Sequence, residues 1–232
     1  MPEQYRRTYD PFVALSAAAS VTGRIRLGTG ICLVVERDPI LLAKEVASLD
    51  RLSNGRVILG IGAGWNAEEM EHHGTPFALR WKVLRERVLA MRRIWADDVA
   101  EFHGELVNFD PIWSWPKPVQ QGGPRILLGA KGRRCFDRVV EYCDGWMPLA
   151  GSGSDQELAQ GLRQLSDACK RGGRPFNSLE LAVIGLGADA YAAAKLLQAG
   201  FEHLVFVLPP VDRESALRIL DSYVNLLRTL RV

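Results

Sequence analysis

The chain has 232 residues, of which 29 are basic and 27 acidic, for a formal charge of +2. That balance excludes a general nucleic-acid binder, which carries a basic excess on one face. Hydrophobic residues at 47% and charged ones at 24% exclude disorder as the main state, and the length suits one large domain or two small ones with an ample core. Cys32, Cys135, Cys143 and Cys169 form no CxxC pair and no dense framework, which fits a reducing cytosol. The opening MPEQYRRTYD has charge without a following apolar run, so no signal peptide is expected. The longest apolar stretches are broken well short of a bilayer span. A cytoplasmic protein with neither membrane nor nucleic-acid partners is the expectation.

In chain order, Asp10-Pro11 reads as an N-cap with proline at the first helical position, opening an Ala-rich helix that Thr22-Gly23 ends. IRLGTGICLV, Ile25 to Val34, is a continuous apolar run and predicts a buried strand. Asp38-Pro39 repeats the capping signal for a helix to about Leu52, stopped at Asn54-Gly55. RVILGIGAG, Arg56 to Gly64, is a second buried strand that breaks into a glycine-rich turn. A short acidic helix, Ala67 to His73, precedes an amphipathic one from Phe77 to Trp95 with Val83, Leu84, Val88, Met91 and Trp95 on one face.

The stretch 97–123 interrupts this alternation with Gly104, Pro111, Pro116, Pro118 and Gly122-Gly123, and reads as a hairpin around FHGELVNF followed by an irregular proline-rich excursion. Strands at RILLGA, GWMPL, ELAVIGLGA and HLVFVL then alternate with helices at Arg133 to Tyr142, Asp155 to Arg171, Ala190 to Gln198 and Arg213 to Leu230. No linker-like stretch divides the chain, so residues 1–232 are expected to form a single domain with an insertion near 97–123.

Six strand-then-helix units after an opening helix imply parallel strands joined by right-handed crossovers. An open doubly wound sheet and a (β/α) barrel both answer to this pattern. Glycines at several strand ends, Gly62, Gly64, Gly129 and Gly187, favour the barrel, which builds its site from many such ends.

The strongest chemical signal is Gly60-Ile61-Gly62-Ala63-Gly64-Trp65 at a strand-to-helix turn. It fits the dinucleotide fingerprint poorly, since Trp65 stands where a third glycine belongs. Glycines there still let a flat ligand or a phosphate approach the backbone, although a tight turn chosen for geometry alone gives the same pattern. Gly129-Ala130-Lys131-Gly132-Arg133-Arg134 runs from a strand end into a helix. Its basic residues oppose the helix dipole, which favours an anion there over a solvated helix start. Gly28-Thr29-Gly30-Ile31 puts two glycines inside a strand, the mark of a bulge, a close backbone approach or a packing need.

Other residues carry less. Glu68 and His72 share a helix face, but with His73 they read as a solvated surface rather than a metal site. His103 and His203 have no visible Ser or Cys partner, and Cys32 reads as a small core residue. Arg80, Lys82, Arg85, Arg87, Arg92 and Arg93 read as the solvent face of their helix. Trp65 and Trp146 follow strand-end glycines and are candidates to face a cofactor or substrate.

With these motifs in place, the sequence resembles the bacterial luciferase-like monooxygenase family, and within it the branch that uses deazaflavin coenzyme F420. The resemblance rests on YDPFVALSAAASVTGRIRLGTGI, DPILLAKEVASLDRLSNGRVILGIGAGW, LRERVLAMRRIWADD, FHGELVNF, PKPVQ, GPRILLGAKG and YCDGWMP, taken in this order and spacing. It implies a luciferase-like TIM (β/α)8 barrel with the cofactor at the C-terminal ends of the strands. It also implies a bulge with a non-proline cis peptide at Gly30-Ile31 behind the ring. Contacts to ring and ribityl chain would come from Gly62, Ala63, Gly64 and Trp65, and phosphate contacts from Gly129, Ala130, Lys131 and Gly132.

Two departures accompany it. Some sugar-phosphate dehydrogenases of this branch carry a glutamate where this chain has Trp65. The family also begins with strand, helix and strand before the helix matched by DPFVALSAAASVT, so about six β/α units are expected here, lacking the first strands. None of the four histidines matches the family's catalytic one, and no catalytic residue is assigned. The expectation is an oxidoreductase transferring a hydride between F420 and a small organic substrate. An FMN-dependent monooxygenase and a non-catalytic flavin-binding barrel fragment are the rival readings. The strands IRLGTGICLV and HLVFVL are expected as exposed edges buried in a homodimer.

Overall fold

The computed structural model describes residues 8–150 and 155–230, with the side chains of Arg133 and Asp155 outside the description. The residues form two compact units divided between Ile126 and Leu127.

In the first unit, α1 (Pro11–Val21) starts on Asp10, whose carboxylate accepts the N–H groups of Phe12 and Val13. Desolvation opposes ionisation there, but the Arg37 guanidinium and those two N–H groups hold the carboxyl below its usual range. After β1 (Leu27–Gly28) and β2 (Cys32–Leu33), α2 (Pro39–Leu52) repeats the cap with Asp38, which accepts from Ile40 and Leu41. Both prolines sit where a helix has no N–H bond to lose. β3 (Val57–Gly62) follows, buried along its whole length, and pairs in parallel with β1 and β2. Arg56, just before it, donates to the carbonyls of Ala19, Thr22, Ile25 and Ser53, which satisfies chain ends left open by α1 and α2.

α3 (Ala67–His72) and a 3-10 turn at Phe77–Leu79 lead to α4 (Arg80–Ala96). Val83, Leu84, Val88, Met91 and Trp95 are buried as their spacing predicts. β4 (Ala100–His103) and β5 (Asn108–Ile112) form the expected antiparallel hairpin, and an irregular segment with a cis Trp115-Pro116 peptide runs on to β6 (Arg125–Leu128).

Two buried carboxylates fasten this insertion. Glu86 of α4 accepts the N–H groups of Glu105, Leu106 and Val107 at 3.2, 2.7 and 2.9 Å, so the hairpin turn closes on an anion. Asp50 of α2, fully shielded from solvent, accepts the N–H groups of Val119 and Gln120 and the Gln120 side-chain amide. That amide also donates to the Val57 carbonyl.

In the second unit, β6 pairs with β7 (Gly145–Trp146), β7 with β8 (Glu180–Leu186) and β8 with β9 (His203–Phe206), all in parallel. α5 (Arg133–Tyr142), α6 (Asp155–Gly172) and α7 (Ala190–Gln198) separate successive strands, and α8 (Arg213–Leu230) follows the last. Gly145 permits the close pairing of β7 and β8, because a Cβ there would lie 1.9 Å from the Glu180 carbonyl oxygen. Arg174 donates to the carbonyls of Val139, Val140 and Cys143 at the end of α5.

The sequence expectations need three corrections. The run Ile25 to Val34 is not one strand: only Leu27–Gly28 and Cys32–Leu33 pair as strand. GWMPL contributes only Gly145–Trp146, with a single bridge from Leu149 to Ile184. Arg87 is not on the solvent face, since it is half-buried and donates to the Val34 carbonyl. Among the described residues β1 hydrogen-bonds only to β3 and β9 only to β8, in keeping with the expected edges. No described helix is long and apolar enough to cross a membrane.

Two outcomes follow from this packing. Replacing Glu86 with Gln sets an amide against three converging N–H donors, and should cost about 1.5–3 kcal/mol. The cost should read as a lower urea midpoint at unchanged denaturant slope. All four cysteines are free and buried, and burial pushes the thiols of Cys32 and Cys135 up to about 12. Iodoacetamide at pH 8 should therefore label the native protein slowly and all four thiols rapidly in urea.

Candidate functional site

Leu27 and Gly28 sit opposite Val57 and Ile58, whereas Cys32 and Leu33 sit opposite Ile61 and Gly62. Three residues, Thr29, Gly30 and Ile31, thus span the gap that Leu59 and Gly60 span on β3. The surplus residue is a bulge. Within it the Gly30-Ile31 peptide is cis, as the family resemblance implies. Thr29 is buried and its Oγ1 donates to the Gly60 carbonyl at 2.7 Å, which fixes the bulge to β3. Gly30 is exposed and Ile31 half-buried, so the bulged backbone presents an open face.

The chain beyond β2 is fixed as firmly. Arg87 donates to the Val34 carbonyl at 2.9 Å and Thr75 Oγ1 to that of Val35 at 2.6 Å. These bonds hold the turn that carries Glu36 and Arg37. Arg37 pairs with Asp10 and, at 3.5 Å, with Glu45.

At the end of β3, Gly62 and Ala63 are buried, Gly64 turns with φ +71°, and Trp65 is 66% exposed. A Cβ on Gly64 would stand 3.1 Å from the Met70 methyl, 3.4 Å from Leu33 and 3.9 Å from a Glu36 carboxylate oxygen. The glycine is therefore required both by its left-handed backbone and by the close approach of α3. Burial and the nearby Glu69 charge push the Glu36 carboxyl above its usual range. Because Leu33 pairs with Gly62, the structure brings Gly30 and Ile31 together with Gly62, Ala63, Gly64 and Trp65 on one edge of the first unit. The exposed Gly30 backbone and the exposed Trp65 indole leave backbone and aromatic surface at this end of β3.

In the second unit, Gly129, Ala130, Lys131 and Gly132 form the turn from β6 into α5. Gly132 has φ +95° and caps α5 without any side-chain acceptor for its first N–H groups. The Ala130 carbonyl accepts from Trp146 Nε1 at 2.9 Å and from Cys135 Sγ at 3.3 Å. A cavity of about 220 Å³ lies beside the turn, lined by Lys131, Gly132, Trp146, Glu157, Gln160 and Gln164 among others. Lys131 Nζ is 3.6 Å from Glu157 on α6. A cation, a glycine-capped helix start and a small cavity give this turn the makings of an anion site.

Trp146 lines that cavity but is nearly closed off from solvent. It is 2% exposed, packs edge-on against Phe136 at 5.2 Å, and lies so near α6 that a Cβ on Gly161 would be 2.4 Å from its ring. Its role is to hold the 129–132 turn. Arg134 is exposed at the start of α5, and the Arg133 side chain, also named as an anion partner, lies outside the described residues. His72 and His73 are exposed, His103 faces Glu101 at 3.7 Å, and His203 Nε2 is 2.6 Å from Glu180 at the start of β8. Sequence reasoning missed Thr29, Glu36 and Met70. A hydroxyl between two glycines was a readable sign for the first; the others are placed by tertiary packing alone.

The sequence profile of the luciferase-like monooxygenase family matches residues 1–199. A protein of Mycobacterium tuberculosis described as uncharacterized is 39% identical over 215 residues, covering 92% of this chain and 74% of its own length. The oxygenase component of a flavin-dependent trigonelline monooxygenase from Acinetobacter baylyi is 31% identical over 188 residues, covering 79% of this chain and 50% of that protein. Among solved structures, a monooxygenase from Streptomyces bottropensis is 27% identical, with a TM-score of 0.68 over 93% of this chain and 63% of that one. An F420-dependent secondary alcohol dehydrogenase, at 20% identity, has a TM-score of 0.67 over 84% of this chain and 61% of its own. The fold class is accordingly that of the luciferase-like TIM-barrel proteins, although this chain spans less than two thirds of either solved structure. On the family match, the chain belongs to the luciferase-like monooxygenases.

Proposed function

We propose that this protein is a scaffold for flavin-type redox chemistry, with deazaflavin F420 as the cofactor and a small organic molecule as hydride donor or acceptor. The observation that carries the reading is the bulge at Thr29–Ile31, set beside the Gly62–Trp65 turn. The fit is testable on the structure itself. The Gly64 turn packs close against Met70 and Leu33, which fixes its path, and Gly30 beside it is exposed. Gly30, Ile31, Gly62, Ala63, Gly64 and Trp65 would hold the ring, and the turn of Gly129, Ala130, Lys131 and Gly132 would bind a phosphate.

When bound, the deazaflavin supplies the two-electron chemistry. The protein's part would be to hold the ring between the bulged backbone and the Trp65 indole. Glu36, held partly buried behind Gly64, keeps a carboxyl of raised pKa next to the turn.

FMN is the second reading for the cofactor, and with it an oxygen-activating monooxygenase. It is favoured by the trigonelline monooxygenase component, whose description is flavin-dependent. The bulge and turn recognise flatness and serve either ring.

Fluorescence titration of the purified protein with F420 and with FMN separates the two. Tighter F420 binding is expected, and clearly tighter FMN binding would reverse the assignment. Trp65→Ala removes an exposed side chain, so thermal stability should hold while ring affinity falls about tenfold, the upper range for an aromatic contact. Gly64→Val must enter a left-handed backbone against Met70, and should abolish ring binding while costing about 1–2 kcal/mol of stability. Lys131→Ala should weaken FMN binding severalfold without changing riboflavin binding, since riboflavin has no phosphate.

A further inference from the structure

We propose that Glu157 sets the charge accepted at the cavity beside Lys131, biasing it against a doubly charged phosphate monoester and toward a singly charged phosphodiester. The inference rests on the reading of residues 129–132 as a phosphate site, and adds to it a residue that tells two classes of cofactor apart. FMN ends in a phosphate monoester, a group that carries about −1.5 to −2 charges at neutral pH. In deazaflavin F420 the ribityl chain is joined to the rest of the tail through a phosphodiester, which carries a single charge.

One wall of the cavity is a single face of α6, because Glu157, Gln160, Gly161 and Gln164 follow at i, i+3, i+4 and i+7. Among the described lining residues only Lys131 and Glu157 ionise, and their charges are opposite. Glu157 Oε2 lies 3.6 Å from Lys131 Nζ. Arg134, exposed at the start of α5, does not line the cavity. Gln160 and Gln164 are neutral and carry both donors and acceptors, so they serve either ester alike.

A lysine alone would favour the more highly charged ligand. The carboxylate beside it cancels that preference, because its repulsion also grows with ligand charge. In free-energy terms Glu157 opposes a dianion twice as strongly as a monoanion. The two side chains are 42 and 59% exposed, so water and salt weaken the effect. An anion drawn to Lys131 still comes within the Debye length of about 8 Å, which leaves a severalfold bias at physiological ionic strength.

Titration with riboflavin, FMN and the monomethyl ester of FMN varies the phosphate charge on one ring from none to two. At low salt and about pH 7.5, Glu157→Gln should tighten FMN about fivefold, the ester about twofold and riboflavin not at all. Glu157→Asp should keep the behaviour of the native protein, and about 1 M salt should erase most of the difference. A carboxylate that only held α6 in place would move all three ligands alike. Probes without a ring keep this inference apart from the ring assignment. If riboflavin itself does not bind, the ring assignment fails, and methyl phosphate and dimethyl phosphate are compared by NMR at the backbone amides of Lys131 and Gly132. Glu157→Gln should again strengthen the monoester more than the diester. An unchanged ratio of monoester to diester affinity in Glu157→Gln would overturn the proposal. So would an equal shift for riboflavin, or amides that respond to neither phosphate.

Discussion

β3 must pair with a neighbour that has one residue too many, and the candidate site is the result. All six residues of β3 are buried, so neither its register nor its path can yield. The surplus falls on the other strand, between Gly28 and Cys32, where glycine makes an irregular backbone cheapest. Thr29 turns inward and gives its hydroxyl to the Gly60 carbonyl, a bond that compensates for the broken ladder. Gly30 is then left outward and unpacked. The open face beside the Gly62–Trp65 turn is a consequence of strand pairing, and the rigidity of β3 is what keeps it in place.

The same logic, side chains closing backbone groups that regular structure leaves open, holds the remainder together. Asp50 and Glu86 each gather backbone N–H groups of the insertion, while Arg56, Lys117 and Arg174 gather carbonyls at helix ends. Each buried carboxylate stands among donors that point at it, so hydrogen bonding stabilises its charge. The insertion of residues 97–123 is therefore anchored to α2 and α4 at its turn and at its return, although little of it is regular. Removing one such carboxylate would strand several N–H donors together, which is why these positions weigh more than their surface neighbours.

The alternation of strands and helices was legible because each element carries a local cause. Asp10-Pro11 and Asp38-Pro39 start their helices in the structure as capping chemistry requires. The buried face of α4 follows from spacing. The bulge was legible from Gly28 and Gly30, and its cis bond only through the family resemblance. Glu86 was not legible: nothing in its local sequence marks it, and only the hairpin folding back over α4 makes it an internal anchor. Arg87 was misread for a related reason. Charge suggested solvent, whereas the carbonyl of Val34 takes its donor inside the protein.

A site of the proposed kind would recognise its ligand mainly through shape. Gly30 and the Gly62–Gly64 turn would contribute backbone, and Trp65 and Ile31 apolar surface. Backbone and apolar contacts discriminate a flat ring from a bulky one strongly, but they separate one flat ring from another by little, because no polar group is left unpaired by the wrong choice. Discrimination between related cofactors would then come from polar groups near the turn, Glu36 among them, and from the phosphate contacts. Motifs that announce a family through its glycines are for this reason sharp on ring geometry and blunt on ring chemistry. The glycines are fixed by strand register and helix approach, and the side chains at the rim are free to differ from one relative to the next.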